Sequence, residues 1–154
     1  MLSATAEYAL RAMVFLTKNQ DSWPIPGPRI AEASGVPRKY LSAILAHLVR
    51  AGLLDGTRGK SGGFQLTRSP KSVSLSQVVA PFEPVQANRN SCPFGNRICS
   101  DKDPCLAHVR WKEVNETLAR FLEETTLHDV AVRASDARKA RSKESDDRKV
   151  RGKT

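Results

Sequence analysis

The sequence predicts a mainly α protein with one small β hairpin, an α+β fold. Three observations predict it. Apolar residues recur at helical spacing over the first third of the chain. Two short strand-like runs flank the glycine-rich stretch Arg58-Gly59-Lys60-Ser61-Gly62. A long segment with alternating steps of three and four between apolar residues then follows a cysteine-bearing stretch.

The elements follow in order. Residues 3 to 18 read as a helix, capped by Ser3 or Thr5, with Ala6, Leu10, Met13, Val14, Phe15 and Leu16 recurring at helical spacing. Gln20 to Pro28 is a loop, because Pro24, Pro26, Gly27 and Pro28 block regular structure. A short helix, Arg29 to Ser34, is stopped by Gly35. Pro37 suits the first turn of the next helix, where its missing N–H does no harm. That helix runs to about Ala51, with Leu41, Ile44, Leu45 and Leu48 on one face, and Gly52 ends it. Strands are expected over Leu53 to Thr57 and Gly63 to Thr67, then a short helix over Ser74 to Val79. Residues 86 to 103 read as a polar, irregular loop. Asp103-Pro104 looks like an N-cap followed by a first-turn proline, opening a helix to about Glu124. On it Trp111, Val114, Leu118, Phe121 and Thr125 follow the spacing of a helix–helix seam. Beyond about Val132 the chain offers almost nothing to bury, and disorder is expected.

Composition narrows the function. A length of 154 residues suits one domain with an appendage, and 40% hydrophobic residues allow a modest core. No apolar run approaches a bilayer span, and no basic region feeds an apolar stretch at the start, so a cytoplasmic protein with no membrane partner is expected. The formal net charge is +9. It is concentrated: residues 37 to 71 carry Arg38, Lys39, Arg50, Arg58, Lys60, Arg68 and Lys71 against Asp55 alone. A basic patch of that density points to a polyanion such as nucleic acid.

The helix pair around Gly35 has the form of a helix-turn-helix. Small alanines in the first helix allow a close crossing, and glycine permits the positive φ such turns need. The second helix offers Arg38, Lys39, Tyr40 and Ser42 at its exposed start, where a helix set end-on in the major groove reaches base edges. The hairpin tip, Arg58, Gly59, Lys60, Ser61 and Gly62, completes a winged helix, with Arg58 or Lys60 suited to a narrow minor groove. The bland alternative is a solvated amphipathic helix followed by an ordinary loop. Gly59-Lys60-Ser61 is not the end of a phosphate loop, because Leu54 stands where that motif needs glycine. Paired acid–base residues and a substrate-pocket motif are also lacking, so an enzyme with a small-molecule substrate is not expected.

Cys92, Cys99 and Cys105 are spaced C-x6-C-x5-C-x2-H, ending at His108. An odd count cannot close a disulfide framework, and clustered thiols in a reducing compartment favour metal or redox chemistry. Cys105 is expected in the first helical turn, where free N–H groups stabilise a thiolate. Three thiolates on an irregular loop suit an iron–sulfur cluster with a fourth ligand from elsewhere. Zinc in a Cys3His site, cysteines that oxidise directly as a thiol switch, an electron carrier, and idle thiols remain as alternatives.

The chain resembles the Rrf2 family of winged-helix regulators over about residues 1 to 132. The resemblance rests on Glu7-Tyr8-Ala9-Leu10-Arg11, Tyr40-Leu41, the stretch from Arg58 through Gly63 to Phe64, and the cysteine cluster. It implies a homodimer joined through the long helix, binding palindromic double-stranded promoter DNA. It also implies a [2Fe-2S] or [4Fe-4S] cluster near the dimer interface that controls binding, most simply as a repressor. On this resemblance His108 or Glu7 is the fourth ligand, Glu7 serving the partner subunit's cluster. The first cysteine gap of six residues is longer than in several members. Glu7 could equally form a helical ion pair with Arg11, and His108 could simply face solvent. The implied organisation is a winged-helix domain at 1-85, a cluster-binding loop at 86-103, a dimerisation helix at 104-132 and a basic tail at 133-154.

Overall fold

The structure, a computed structural model, describes residues 2–59, 61–83, 100–102 and 104–132. Three helices come first: α1 (Ala4–Lys18), α2 (Gly27–Ser34) and α3 (Arg38–Arg50). Strands β1 (Leu54–Thr57) and β2 (Gly63–Leu66) pair antiparallel, with Leu54 opposite Leu66 and Thr57 opposite Gly63. Helix α4 (Leu75–Val79) and the long helix α5 (His108–Glu124) follow. No helix among the described residues is long and apolar enough to cross a membrane. The α+β expectation holds.

Helix α1 starts where Ser3 accepts a hydrogen bond from the Ala6 N–H at 3.2 Å. Its deepest face is Ala6, Ala9, Ala12, Met13 and Leu16, while Leu10, Val14 and Phe15 are only partly buried. The sequence pattern weighted the large side chains. Packing instead uses the three alanines, whose small side chains bring other helices close to α1. Helix α2 ends at Gly35, whose φ of +67° lies in the left-handed region, and Val36 N–H then bonds the Ala31 carbonyl at 3.1 Å. Pro37 is the N-cap of α3 rather than a first-turn residue, and its carbonyl accepts from Tyr40 and Leu41. Leu41, Ile44, Leu45 and Leu48 then enter the core, each stabilising the fold by about 1.5–3 kcal/mol.

Short ties fix the remaining pieces. Ile25, in the loop after α1, makes an isolated antiparallel bridge to Phe64 of β2. Ser74 and Gln77 form a reciprocal capping box on α4. The end of α5 is bound to the α4 entrance: Leu75 N–H donates to the Thr125 carbonyl, and Leu127 N–H to the Val73 carbonyl, both at 2.9 Å. A second reciprocal cap, Thr126 with Asp129, starts a last helical segment at 127–132. Leu122 and Leu127 belong to the same core as α1 and α3.

Two further helix starts differ from expectation: α2 begins at Gly27, so Gly27 and Pro28 lie in its first turn, where a proline needs no N–H, and not in the loop. Helix α5 begins at His108 with Ala107 at its N-cap, so Pro104 and Cys105 precede it. The expected cap, Asp103, lies outside the described residues. Cys105 instead closes a single turn, its carbonyl accepting from the His108 N–H at 3.0 Å. The first-turn argument for a stabilised Cys105 thiolate therefore does not apply.

Candidate nucleic-acid interface and cysteine loop

The start of α3 is the chemically distinctive surface. Buried leucines and Ile44 orient the helix, which leaves Arg38, Lys39, Tyr40 and Ser42 exposed. No side chain caps the helix start, so its free N–H groups add partial positive charge beside two cations. Arg58, Gly59, Ser61 and the half-buried Gly62 form the hairpin tip, and Lys60 lies outside the described residues. Both elements hang from one frame, because Leu53 N–H bonds Leu48 and Thr67 N–H bonds Leu53. The first residue of β2, beside the tip, admits no bulk: a Cβ on Gly63 would lie 2.5 Å from the Ile25 carbonyl carbon.

Aromatic contacts join α1 to this surface. The rings of Tyr8 and Tyr40 stack, with centroids 6.2 Å apart and planes inclined by 24°. The Lys39 ammonium lies 4.8 Å from the Tyr40 centroid, and the Arg11 guanidinium 5.7 Å from the Tyr8 centroid. Sequence reasoning missed Tyr8 as a partner of Tyr40. The available signal was that these are the protein's two tyrosines, both in the stretches that carried the family resemblance.

The cysteine region is described in part. Cys92 and Cys99 lie outside the described residues, and Cys105 is half-buried. Among the described residues no group of three His, Cys, Asp or Glu side chains is placed to hold a metal. His108 Nε2 lies 2.9 Å from an Asp101 carboxylate oxygen, and Lys112 reaches the same carboxylate at 3.0 Å. The His108 hydrogen bond and then Lys112 hold the Asp101 carboxyl below its ordinary range, and Asp101 raises Lys112. Cys105 and His108, one turn apart and outside the hydrophobic core, are chemically suited to join a thiolate-rich centre. Glu7 is on the other side of the sequence, paired with Arg11 at 3.8 Å on the exposed face of α1.

On α5, Asn115, Ala119 and Leu122 face inward. Of the expected seam, Val114 and Phe121 are exposed at 55% and 53%, while Leu118 packs against the core and Trp111 and Thr125 are half-buried. Val109 and Leu106, nearer the cysteine region, are also exposed, but Val109 lies about 140° around the helix from Val114 and Leu106 precedes the helix.

A family model described as an iron-dependent transcriptional regulator, Rrf2, matches residues 2–133. The HTH-type transcriptional regulator IscR of Klebsiella pneumoniae (strain 342) is 31% identical over 130 residues, covering 84% of this chain and 78% of that protein. Among solved structures, T. potens IscR superposes with a TM-score of 0.69 at 25% identity, covering 89% of this chain and 90% of that one. CymR (YrzC), the global cysteine regulator of B. subtilis, gives 0.69 at 23% identity, covering 86% and 96%.

Proposed function

The chain belongs to the Rrf2 family, and from that membership we propose that it is a dimeric repressor whose promoter affinity is set by an iron–sulfur cluster. It is a DNA-binding transcriptional regulator, like its relatives, and not an enzyme. The observation that carries the reading is the uncapped, cationic start of α3 standing beside the hairpin tip. Arg38, Lys39, Tyr40 and Ser42 enter the major groove, while Arg58 or Lys60 of the glycine-rich hairpin tip enters the adjacent minor groove.

Two protomers pair through the outward face of α5 that carries Val114 and Phe121. That pairing sets the distance between two recognition helices, which must match half-sites about one turn of DNA apart. Cys92, Cys99 and Cys105 hold the cluster, with His108 or the partner subunit's Glu7 as the fourth ligand. The bound cluster supplies a centre that oxidants, nitric oxide or iron shortage destroy. The chain's own residues convert its presence into geometry. Cys105 and His108 fix the segment entering α5, and α5 fixes the dimer. A coupling of about 1–3 kcal/mol between the two sites suffices for regulation.

The test is anaerobic reconstitution, with Mössbauer spectra and iron and sulfide analysis, followed by titration of promoter DNA with holo and apo protein. Supported, the proposal yields stoichiometric iron and sulfide and a difference in DNA affinity between the two forms. Equal affinities sink the sensing mechanism. A metal-free protein whose affinity follows thiol oxidation is instead a thiol-switch regulator, the reading that the half-buried Cys105 also allows.

A further inference from the structure

We propose that Tyr8, on α1, is a positioning residue for DNA readout: its ring holds Tyr40, and through it Lys39, in the orientation the groove requires. The proposal rests on the reading of α3 as the groove-facing helix. The start of that helix lacks a side-chain cap, and Tyr40 is 48% exposed. An exposed aromatic in a first helical turn has more than one rotamer open to it. Here the choice is made by α1, which cannot yield, because Ala6, Ala9, Ala12 and Met13 around Tyr8 are fully buried. The Tyr8 ring lies 6.2 Å from that of Tyr40 and nearly parallel to it. Lys39 in turn rests its ammonium 4.8 Å from the Tyr40 centroid. Tyr40 thus arrives at DNA pre-oriented, and the ordering of its side chain and of Lys39 is completed before binding.

The consequence separates specific from non-specific binding. Tyr8 carries no charge, so its loss leaves the phosphate-neutralising cations in place. Affinity for arbitrary DNA and its salt dependence should not move. Affinity for the cognate site should fall, because base contacts need a fixed geometry while phosphate contacts tolerate a mobile cation.

The test uses the full chain, a duplex selected by the wild-type protein from a random pool, and a scrambled duplex of equal length. Tyr8→Leu should weaken binding to the selected duplex about three- to tenfold, the range a ring pair supplies. Binding to the scrambled duplex and the salt slope should be unchanged. Tyr8→Phe, which keeps the ring, should restore selected-site affinity. With ring-labelled tyrosine the chain gives two sets of ring signals. The wild-type protein should show a ring-to-ring cross-peak, and Tyr8→Leu should shift the Tyr40 signals. No cross-peak in the wild type, equal losses on both duplexes, or no loss on either would overturn the proposal. If Lys39→Ala were also without effect on the selected duplex, the groove-facing reading of α3 would fall. If Lys39→Ala weakened binding and Tyr8→Leu did not, only the role of Tyr8 would.

Discussion

Ile25 and Phe64 exchange two backbone hydrogen bonds: Ile25 N–H to the Phe64 carbonyl at 3.0 Å, and Phe64 N–H to the Ile25 carbonyl at 2.9 Å. The tip-side end of the hairpin is therefore pinned to the loop after α1, and a Cβ on Gly63 would stand within 3 Å of Ile25 backbone atoms. Gly63→Ala places a methyl group against Ile25 backbone atoms that cannot move without breaking this pair. We expect a loss of about 2 kcal/mol or more in chemical denaturation, with weaker DNA binding. Ser61→Ala, at the exposed tip, should leave stability unchanged.

Lys39→Ala and Arg58→Ala should each weaken promoter binding. Anisotropy titrations across a salt series separate their roles. A lost phosphate contact lowers the salt slope by about one unit, whereas a lost base contact costs about 1–3 kcal/mol at one sequence position with little change in slope. A variant that changes neither quantity does not lie in the interface. Truncation after Val132 should have a smaller effect that disappears at high salt.

Phe121 and Leu122 are neighbours with opposite surroundings, 53% and 2% exposed. Phe121→Glu should leave the protomer folded and yield monomers in sedimentation equilibrium, with promoter affinity falling because half-sites are no longer bound together. Leu122→Ala should lower stability by about 2–5 kcal/mol through the cavity it leaves. A Phe121→Glu protein that stayed dimeric would remove the outward face of α5 from the interface.

Cys105→Ser should abolish iron and sulfide retention after anaerobic reconstitution, because a neutral hydroxyl replaces a thiolate ligand. His108→Ala should retain the cluster only if the partner's Glu7 completes the set, and Glu7→Gln gives the complementary result. Binding of reconstituted protein that was insensitive to Cys105→Ser would exclude the cluster from regulation.

Much of the fold was legible because its signals are local. Gly35, Gly52, Pro24 and Pro26 punctuate the chain as their backbone preferences require, whereas Gly27 and Pro28, expected in the loop, form the first turn of α2. The leucines of α3 occupy the face their spacing assigns. Legibility ended where position depends on distant partners. Periodicity grouped Leu10, Val14 and Phe15 with the core of α1, but the alanines take the deepest places. The seam on α5 was visible as a pattern, and only packing showed that Asn115, Ala119 and Leu122 face inward instead. The Tyr8–Tyr40 stack joins residues from different helices, and no spacing rule could reveal it. In the site, the helix-turn-helix and hairpin were readable. Cys92, Cys99 and Lys60 lie outside the described residues, so the ligand set rests on sequence.

The backbone ties at Thr125 and Leu127 give the long helix an unequal pair of ends. One end is set into the common core, while His108, at the other, is held from the surface by Asp101. Seventeen residues separate them as a rigid rod of about 25 Å. In the proposed dimer such a rod would act as a lever anchored near Thr125. A swing of about 10° there would carry the His108 end through about 4 Å, comparable to the rise of a base-pair step. If the proposed ligands hold a cluster, a minor rearrangement among them would be magnified by this geometry into a mismatch with the operator.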